Sequence, residues 1–522
     1  MPHSNDRLGP LDSLFLYLEK KEMPLHIGGV FVLDGPLSVD DLKSLIEAKL
    51  PLIPRYRQRV SFPPLQVGYP TWEFDPRFDI NGHIHSAHLP SGTKEALQTQ
   101  AGHLFSEMMD RNRPLWDVTV VDGLEGGRSA LISRVHHCLV DGVAGVALMN
   151  LIFDTSPEVS PLPPPQPFHP PASSLSWAKL ADDLVRPYFQ VVERMLSVQS
   201  AAMKVAEDLV SELAHGSLPT PAASEVLPPV QRFPFYAPSS GPRRVAWTEF
   251  SMHDIDAVRH ACGVKVNDVG LLILGGAMRR YAKLHHQPVE GRLLRLMVPV
   301  NLRSGDPKQG LGNKISLIPV NVPLDIADPI ELLRQIHKRT EAVKSAHAAD
   351  LTVLAGTLLA SLPVPVQATL VGMLSNSIPV LPFDMVCTNV PGPPQPLYLL
   401  GRKMLTYYPY VPIGDFMGVC CAMVSYNGTF YFSLTGDSKS APDLDRLLDF
   451  LNEAFAELRE ATGYAPIPAP ALPGEPPMAA AAPDLKALPM NKLPSLAPAR
   501  KSPRQKTRTI SGKTMRAPRV TP

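Results

Sequence analysis

The stretch Ala130-Leu131-Ile132-Ser133-Arg134-Val135-His136-His137-Cys138-Leu139-Val140-Asp141-Gly142 decides how the first half of this chain is read. Its apolar opening reads as a strand, and Val143 to Phe153 beyond it reads as a helix. Between them stand a doubled histidine, a carboxylate four residues after the second histidine, and a glycine that lets the chain turn. Neighbouring side chains on an extended strand point to opposite faces, so His136 and His137 do not both enter one site. His137 begins the HxxxD spacing and is the candidate proton acceptor. An imidazole titrates near ~6.5 and exchanges protons around neutrality. Two rival readings stay open. A metal pair at this spacing needs a helix, where the preceding residues read as strand; a buried, structural histidine is the other. Asp141 either polarises the His137 ring or braces the loop through an arginine.

Outward from this stretch, composition narrows the class. A chain of 522 residues with 44% hydrophobic and 19% charged residues has ample apolar surface to bury, and its length suggests roughly two to three domains. A net charge of +1 gives no overall field that would attract nucleic acid. The five cysteines form no CxxC pair, which favours a reducing compartment. Met1 to Pro10 lacks the apolar core of an export signal. His83, His85 and His88 have ligand-like spacing with no Cys or acid among them. Leu351 to Phe383 carries no charged residue, yet Pro363 and Pro365 interrupt it, so a buried helix pair is expected there rather than a membrane span.

Helical spacing of Leu11, Leu14, Phe15 and Leu18 predicts a first helix with Asp12 in its opening turn. A strand follows over His26 to Leu33, then a helix over Val39 to Leu50 capped by Ser38. A longer helix is expected from Lys94 to Met109, and paired strands over Val118 to Gly123 and Arg128 to Val135. The organisation expected is an N-terminal domain over 1–155, a Pro-rich and helical crossover over 156–243, a C-terminal domain over 244–464 and a disordered basic tail over 465–522. Within the C-terminal domain the pattern predicts a helix from Val266 to Leu284, a strand from Leu293 to Val300 and a hairpin around Asn427-Gly428. Asn267 reads as a helix cap and Trp116 as core.

The motifs together resemble a family. His136-His137-Cys138-Leu139-Val140-Asp141-Gly142 resembles the HHxxxDG signature of CoA-dependent acyltransferases. Pro10-Leu11-Asp12, Met23-Pro24-Leu25-His26-Ile27-Gly28-Gly29, Pro114-Leu115-Trp116, Asn267-Asp268-Val269, Val298-Pro299-Val300-Asn301-Leu302-Arg303, Gly312-Asn313 and Thr388-Asn389-Val390-Pro391-Gly392-Pro393 follow in order. The set is similar to the bacterial bifunctional wax ester synthase/acyl-CoA:diacylglycerol acyltransferases, over most of Leu8 to Tyr464. Gly270 departs from it, where a bulky aliphatic is usual, and so does Cys420, where Asn is frequent.

The resemblance implies an α/β fold of two chloramphenicol-acetyltransferase-like domains, mixed sheets with flanking helices, facing each other across a channel. It implies an acyltransferase with acyl-CoA as donor substrate and no cofactor or metal, and diacylglycerol or a long-chain alcohol as acceptor. His137, His136 and Asp141 are then the catalytic candidates, with Gly142, Asn267, Asp268, Thr388 and Asn389 near the site and Arg303 a possible partner of Asp141. The protein is expected in the cytoplasm, peripherally on the inner membrane or lipid inclusions. Two alternatives share the motif: a condensation-type enzyme taking acyl groups from a carrier protein, and a non-enzymatic scaffold of lipid inclusions.

Overall fold

The computed structural model describes residues 7–62, 69–140, 142–159, 161–162, 232–301, 315–345 and 383–463. Met1–Ala469 forms one compact unit; Pro470–Pro522, a second, is not among the described residues. Also outside them lie most of the expected crossover, residues 163–231, the apolar segment over 351–382, Asp141, Arg303 and Gly312-Asn313.

In chain order the first half supplies α1 (Pro10–Leu18), β1 (His26–Leu33), α2 (Val39–Lys49), the pair β2 (Gln58–Ser61) and β3 (Thr71–Phe74), β4 (Ile84–His88), α3 (Lys94–Phe105), β5 (Trp116–Asp122), β6 (Ser129–His136) and α4 (Gly142–Ile152). The second half supplies β7 (Arg243–Ser251), α5 (Met252–Cys262), α6 (Val266–Leu284), β8 (Leu293–Asn301), β9 (Ile315–Pro323), α7 (Pro329–Ser345), β10 (Met385–Pro391), β11 (Tyr398–Leu399), β12 (Arg402–Tyr410), β13 (Val419–Tyr426), β14 (Thr429–Asp437) and α8 (Leu444–Ala461).

Local chemistry explains several of these bounds. Ser38 accepts hydrogen bonds from the amides of Asp40 and Asp41 at the start of α2, a cap worth about 1 kcal/mol. Leu42, Leu45 and Ile46 then turn one face of that helix into the core. The helix expected to reach Met109 stops at Phe105. The buried Arg134 guanidinium, held on Asp117 at 2.7 and 2.8 Å, donates to the carbonyls of Leu104 and Glu107, which satisfies the free end of the helix with a cation. At the tip of the β13–β14 hairpin Asn427 and Gly428 both have positive φ, 45° and 78°, as a two-residue turn of the primed type requires.

Among the described residues two six-stranded mixed sheets result, in the orders β11-β12-β1-β6-β5-β4 and β7-β14-β13-β10-β8-β9. The first takes two strands from the second half of the chain: β12 pairs antiparallel with β1, with Tyr407 opposite Phe31 and Tyr410 opposite Gly28. Sheet membership therefore does not follow the division of the chain into 1–155 and 244–464. Buried Arg243 ties the halves further, donating to Asp437 Oδ2 (3.3 Å) and Ser239 Oγ (2.9 Å) on one side and to the Glu22 carbonyl (2.8 Å) on the other. No single helix among the described residues is long and apolar enough to cross a membrane; α5 and α6, bent by 101°, pass only as a pair. The middle of α6 is core, with Leu271, Leu272, Ile273 and Leu274 essentially inaccessible.

Candidate active site

One face of the first sheet is built from alternate residues of neighbouring strands: Gly29 and Phe31 of β1, Leu131, Ser133 and Val135 of β6, Tyr407 and Pro409 of β12. A cavity of about 370 Å³ lies on that face. Leu42 and Ile46 of α2 and Leu148, Met149 and Ile152 of α4 line it as well, and the second sheet contributes Pro299, Thr388 to Pro391, Met423 and Val424. His137 lines the same cavity. The walls are mostly aliphatic and aromatic with few polar groups, the composition of a site that binds an apolar ligand and orients it at a few points.

The doubled histidine divides at the end of β6. The strand stops at His136, and residues 137–139 form a turn closed by the Leu139 amide on the His136 carbonyl at 2.9 Å. His137 therefore stands in the turn, one residue past the end of the strand. The turn is pinned at both histidines: the His136 amide donates to the Leu115 carbonyl (2.9 Å), the His137 amide to the Leu25 carbonyl (3.0 Å). Phe15 of α1 stacks on the His137 ring, centroids 4.0 Å apart and planes 5° from parallel.

His136 is fully buried. Its Nδ1 accepts the Cys138 amide at 3.1 Å, so the proton of the neutral ring belongs on Nε2, which lies 3.4 Å from Glu19 Oε2. The Glu19 side chain, 1% exposed, also accepts the Leu25 amide at 3.0 Å and Arg111 at 2.9 and 3.2 Å. Burial alone would raise this carboxyl. The approach of His136, the Leu25 amide and Arg111 outweigh it and hold the pKa at about 2. Leu25 gives its amide to Glu19 and its carbonyl to His137, so the carboxylate is one residue removed from the backbone that carries the candidate base.

Cys138 is buried, and burial together with the charges of Asp12 and Glu19 raises its thiol well above the ordinary value; it is poorly suited to nucleophilic attack. His26, paired with His136 across β1 and β6, is held neutral by burial and by the nearby Arg134 charge.

The other sequence candidates separate. Gly142 opens α4. Thr388 and Asn389 line the cavity. Asn267 is not the helix cap: α6 begins at Val266 after Lys265, and the Asn267 Oδ1 receives Asn389 Nδ2 at 3.4 Å. Asp268 performs the capping, since its carboxylate accepts the Lys265 amide at 3.1 Å. Fully buried, it also binds His337 (2.8 Å) and Thr340 (2.9 Å) of α7, and so fixes the helix start that carries Asn267. Trp116 is core, its indole donating to the Tyr56 carbonyl at 2.8 Å. His83 stacks on Trp116 and bonds its carbonyl, and His88 pairs with Asp122. Among the described residues no group of three or more His, Cys, Asp or Glu is arranged to hold a metal.

Two sheets flanked by helices around one cleft, with a histidine at the end of a strand, define a protein of the chloramphenicol-acetyltransferase-like class. Solved structures carry the likeness. The first condensation domain of the CDA synthetase superposes with a TM-score of 0.52 at 13% identity, over 88% of this chain and 98% of that one. The wax ester synthase/diacylglycerol acyltransferase from Marinobacter aquaeolei VT8 superposes with a TM-score of 0.62 at 26% identity, over 88% of this chain and all of that one. Residues 8–270 match the wax ester synthase/diacylglycerol acyltransferase catalytic domain and residues 311–459 the WS/DGAT C-terminal domain. Two probable diacylglycerol O-acyltransferases of Mycobacterium tuberculosis, tgs2 and tgs1, are each 30% identical, over 88% and 87% of this chain and 100% and 96% of their own lengths. The chain belongs to the wax ester synthase/diacylglycerol acyltransferase family, and it is an acyltransferase.

Sequence reasoning passed over Glu19, Arg111, Tyr407 and Met423. For Glu19 a signal existed: it ends the apolar and aromatic run LFLYL of residues 14–18, where a carboxylate is buried only with partners. Tyr407 and Met423 reach the cavity through strand pairing between distant segments and carry no local signal.

Proposed function

We propose that His137 is the general base of direct acyl transfer from acyl-CoA to the hydroxyl of diacylglycerol or a long-chain alcohol. The observation that carries this is the position of His137: its backbone pinned, its ring stacked on Phe15, on the wall of an apolar cavity. In this reading His137 takes the hydroxyl proton as the oxygen attacks the thioester carbonyl. The tetrahedral intermediate then collapses, the C–S bond breaks, and the imidazolium returns the proton to the departing CoA thiolate. Ester and free CoA leave; no covalent enzyme intermediate, cofactor or metal enters. Asp141 acts on the same turn, on the ring itself or through an arginine, with Gly142, Thr388 and Asn389 beside the reacting groups. Each buried methylene contributes about 0.8 kcal/mol, so apolar walls select long chains without polar readout.

Purified protein given palmitoyl-CoA with hexadecanol, and separately with a diacylglycerol, tests this. His137→Ala should lower ester formation by ~10²–10⁴-fold while the thermal unfolding transition stays in place. Full activity in a folded variant would sink the reading.

The same proposal sets the enzyme at a lipid surface on the cytoplasmic side, where both apolar substrates reside. Arg500, Lys501, Arg504, Lys506, Arg508, Lys513, Arg516 and Arg519 supply charge for it, each worth about 1 kcal/mol near anionic lipid. Co-sedimentation with anionic vesicles should weaken when the chain ends at Tyr464 and in high salt. Equal binding of the shortened chain would remove the tail from the proposal.

A further inference from the structure

The start of α6 lies beside the cavity through two residues one turn apart. Asn267 meets Asn389, and Gly270, three positions on and so on the same helix face, meets Met423. Asn389 and Met423 are partners across the parallel pair β10–β13, and both line the cavity.

The space at Gly270 is already filled by its neighbour. A methyl group there would stand 2.7 Å from the Met423 sulfur, 3.2 Å from its terminal carbon and 3.6 Å from Phe430. The first distance is closer than packed atoms allow, so the thioether has to move. Its flexibility makes that possible. Phe430 is fully buried and closes the protein side. Met423 also lines the cavity, which gives a displaced thioether space to enter.

From this packing we infer that Gly270 is a positioning residue for chain-length selection: by letting Met423 sit back against α6, it keeps the cavity beside Asn389 deep enough for a long aliphatic chain. The inference rests on the acyl-transfer reading and deepens it. The ligand is an unbranched aliphatic chain, which either the acyl donor or the alcohol acceptor can supply. Adding one methyl group to Gly270 shortens the space by about one methylene, a change that discriminates chains by roughly tenfold or more in apolar pockets.

The test uses the full chain as wild type, Gly270→Ala, Met423→Ala and the double variant. One arm varies the donor, octanoyl-, dodecanoyl- and palmitoyl-CoA, against a fixed acceptor. The other varies the acceptor, octanol, dodecanol and hexadecanol, against palmitoyl-CoA. In one arm Gly270→Ala should lower the long-to-short ratio of kcat/KM by about tenfold, mainly through KM. Met423→Ala should move that ratio the opposite way, and the double variant should return towards wild type. The arm that responds identifies the chain held there. Should Gly270→Ala fail to fold, the shift in Met423→Ala alone carries the inference. Ratios unchanged in both arms for every folded variant, with the wild type active, would overturn it. A wild type that makes no ester from any pair would instead overturn the acyl-transfer reading beneath it.

Discussion

At His136 Nδ1 accepts the Cys138 amide and Nε2 lies 3.4 Å from Glu19, while His137 one position later lines the cavity. The spacing of HxxxD separated the two histidines in the sequence. The reason for the doubling lay in the partners: His136 shapes the turn on which His137 stands. Glu19 makes this measurable. Its carboxyl is held at about 2 in the folded chain against an ordinary 4.5, so its ionised form stabilises the fold by roughly 3 kcal/mol. A depressed folded pKa gives stability that is present above the unfolded value and lost as pH falls through the folded one. The acid limb assigned to Glu19 therefore lies between about pH 4.5 and pH 2. Denaturation midpoints measured against pH should show that limb in the wild type and a flatter one in Glu19→Gln, with the variant less stable at neutral pH. Superimposable profiles would remove Glu19 from the network that supports His137.

Elements were legible wherever the pattern was local. The bounds of β1 and α6 agree with periodicity, and β5 and β6 lie where the paired strands were expected, because each is decided by residues within a few positions of itself. The end of α3 was not, since it depends on Arg134 arriving from a strand about thirty residues later. Gly28 is a case in which a strand residue has a purely tertiary reason. A methyl group there would fall 1.9 Å from the Ser133 carbonyl oxygen, a backbone atom that cannot swing away without breaking the β1–β6 ladder. Gly28→Ala should thus cost more than the usual 1–3 kcal/mol of an overpacked core and distort the neighbouring strand β6, which leads into the turn with His137. Urea denaturation, with activity measured alongside, checks it; a variant within about 0.5 kcal/mol of wild type, the range of a neutral surface change, would show that β1 and β6 are not this close.

For the molecule as a whole, the ordered motifs determined the family, the α/β class and the second histidine as the candidate base, because those properties reside in residue types at short fixed spacings. Only the tertiary structure decided where the cavity runs. β12 leaves the second half to complete the first sheet, and Tyr407 to Tyr410 bury both faces of that strand to different degrees, so its alternation carries no solvent side to read. Glu19 meets His136, and Gly270 meets Met423, across 117 and 153 positions of chain respectively. Such contacts depend on the packing of two sheets and the helices against them, and no periodicity within one segment can report which distant segment will fill the space beside it.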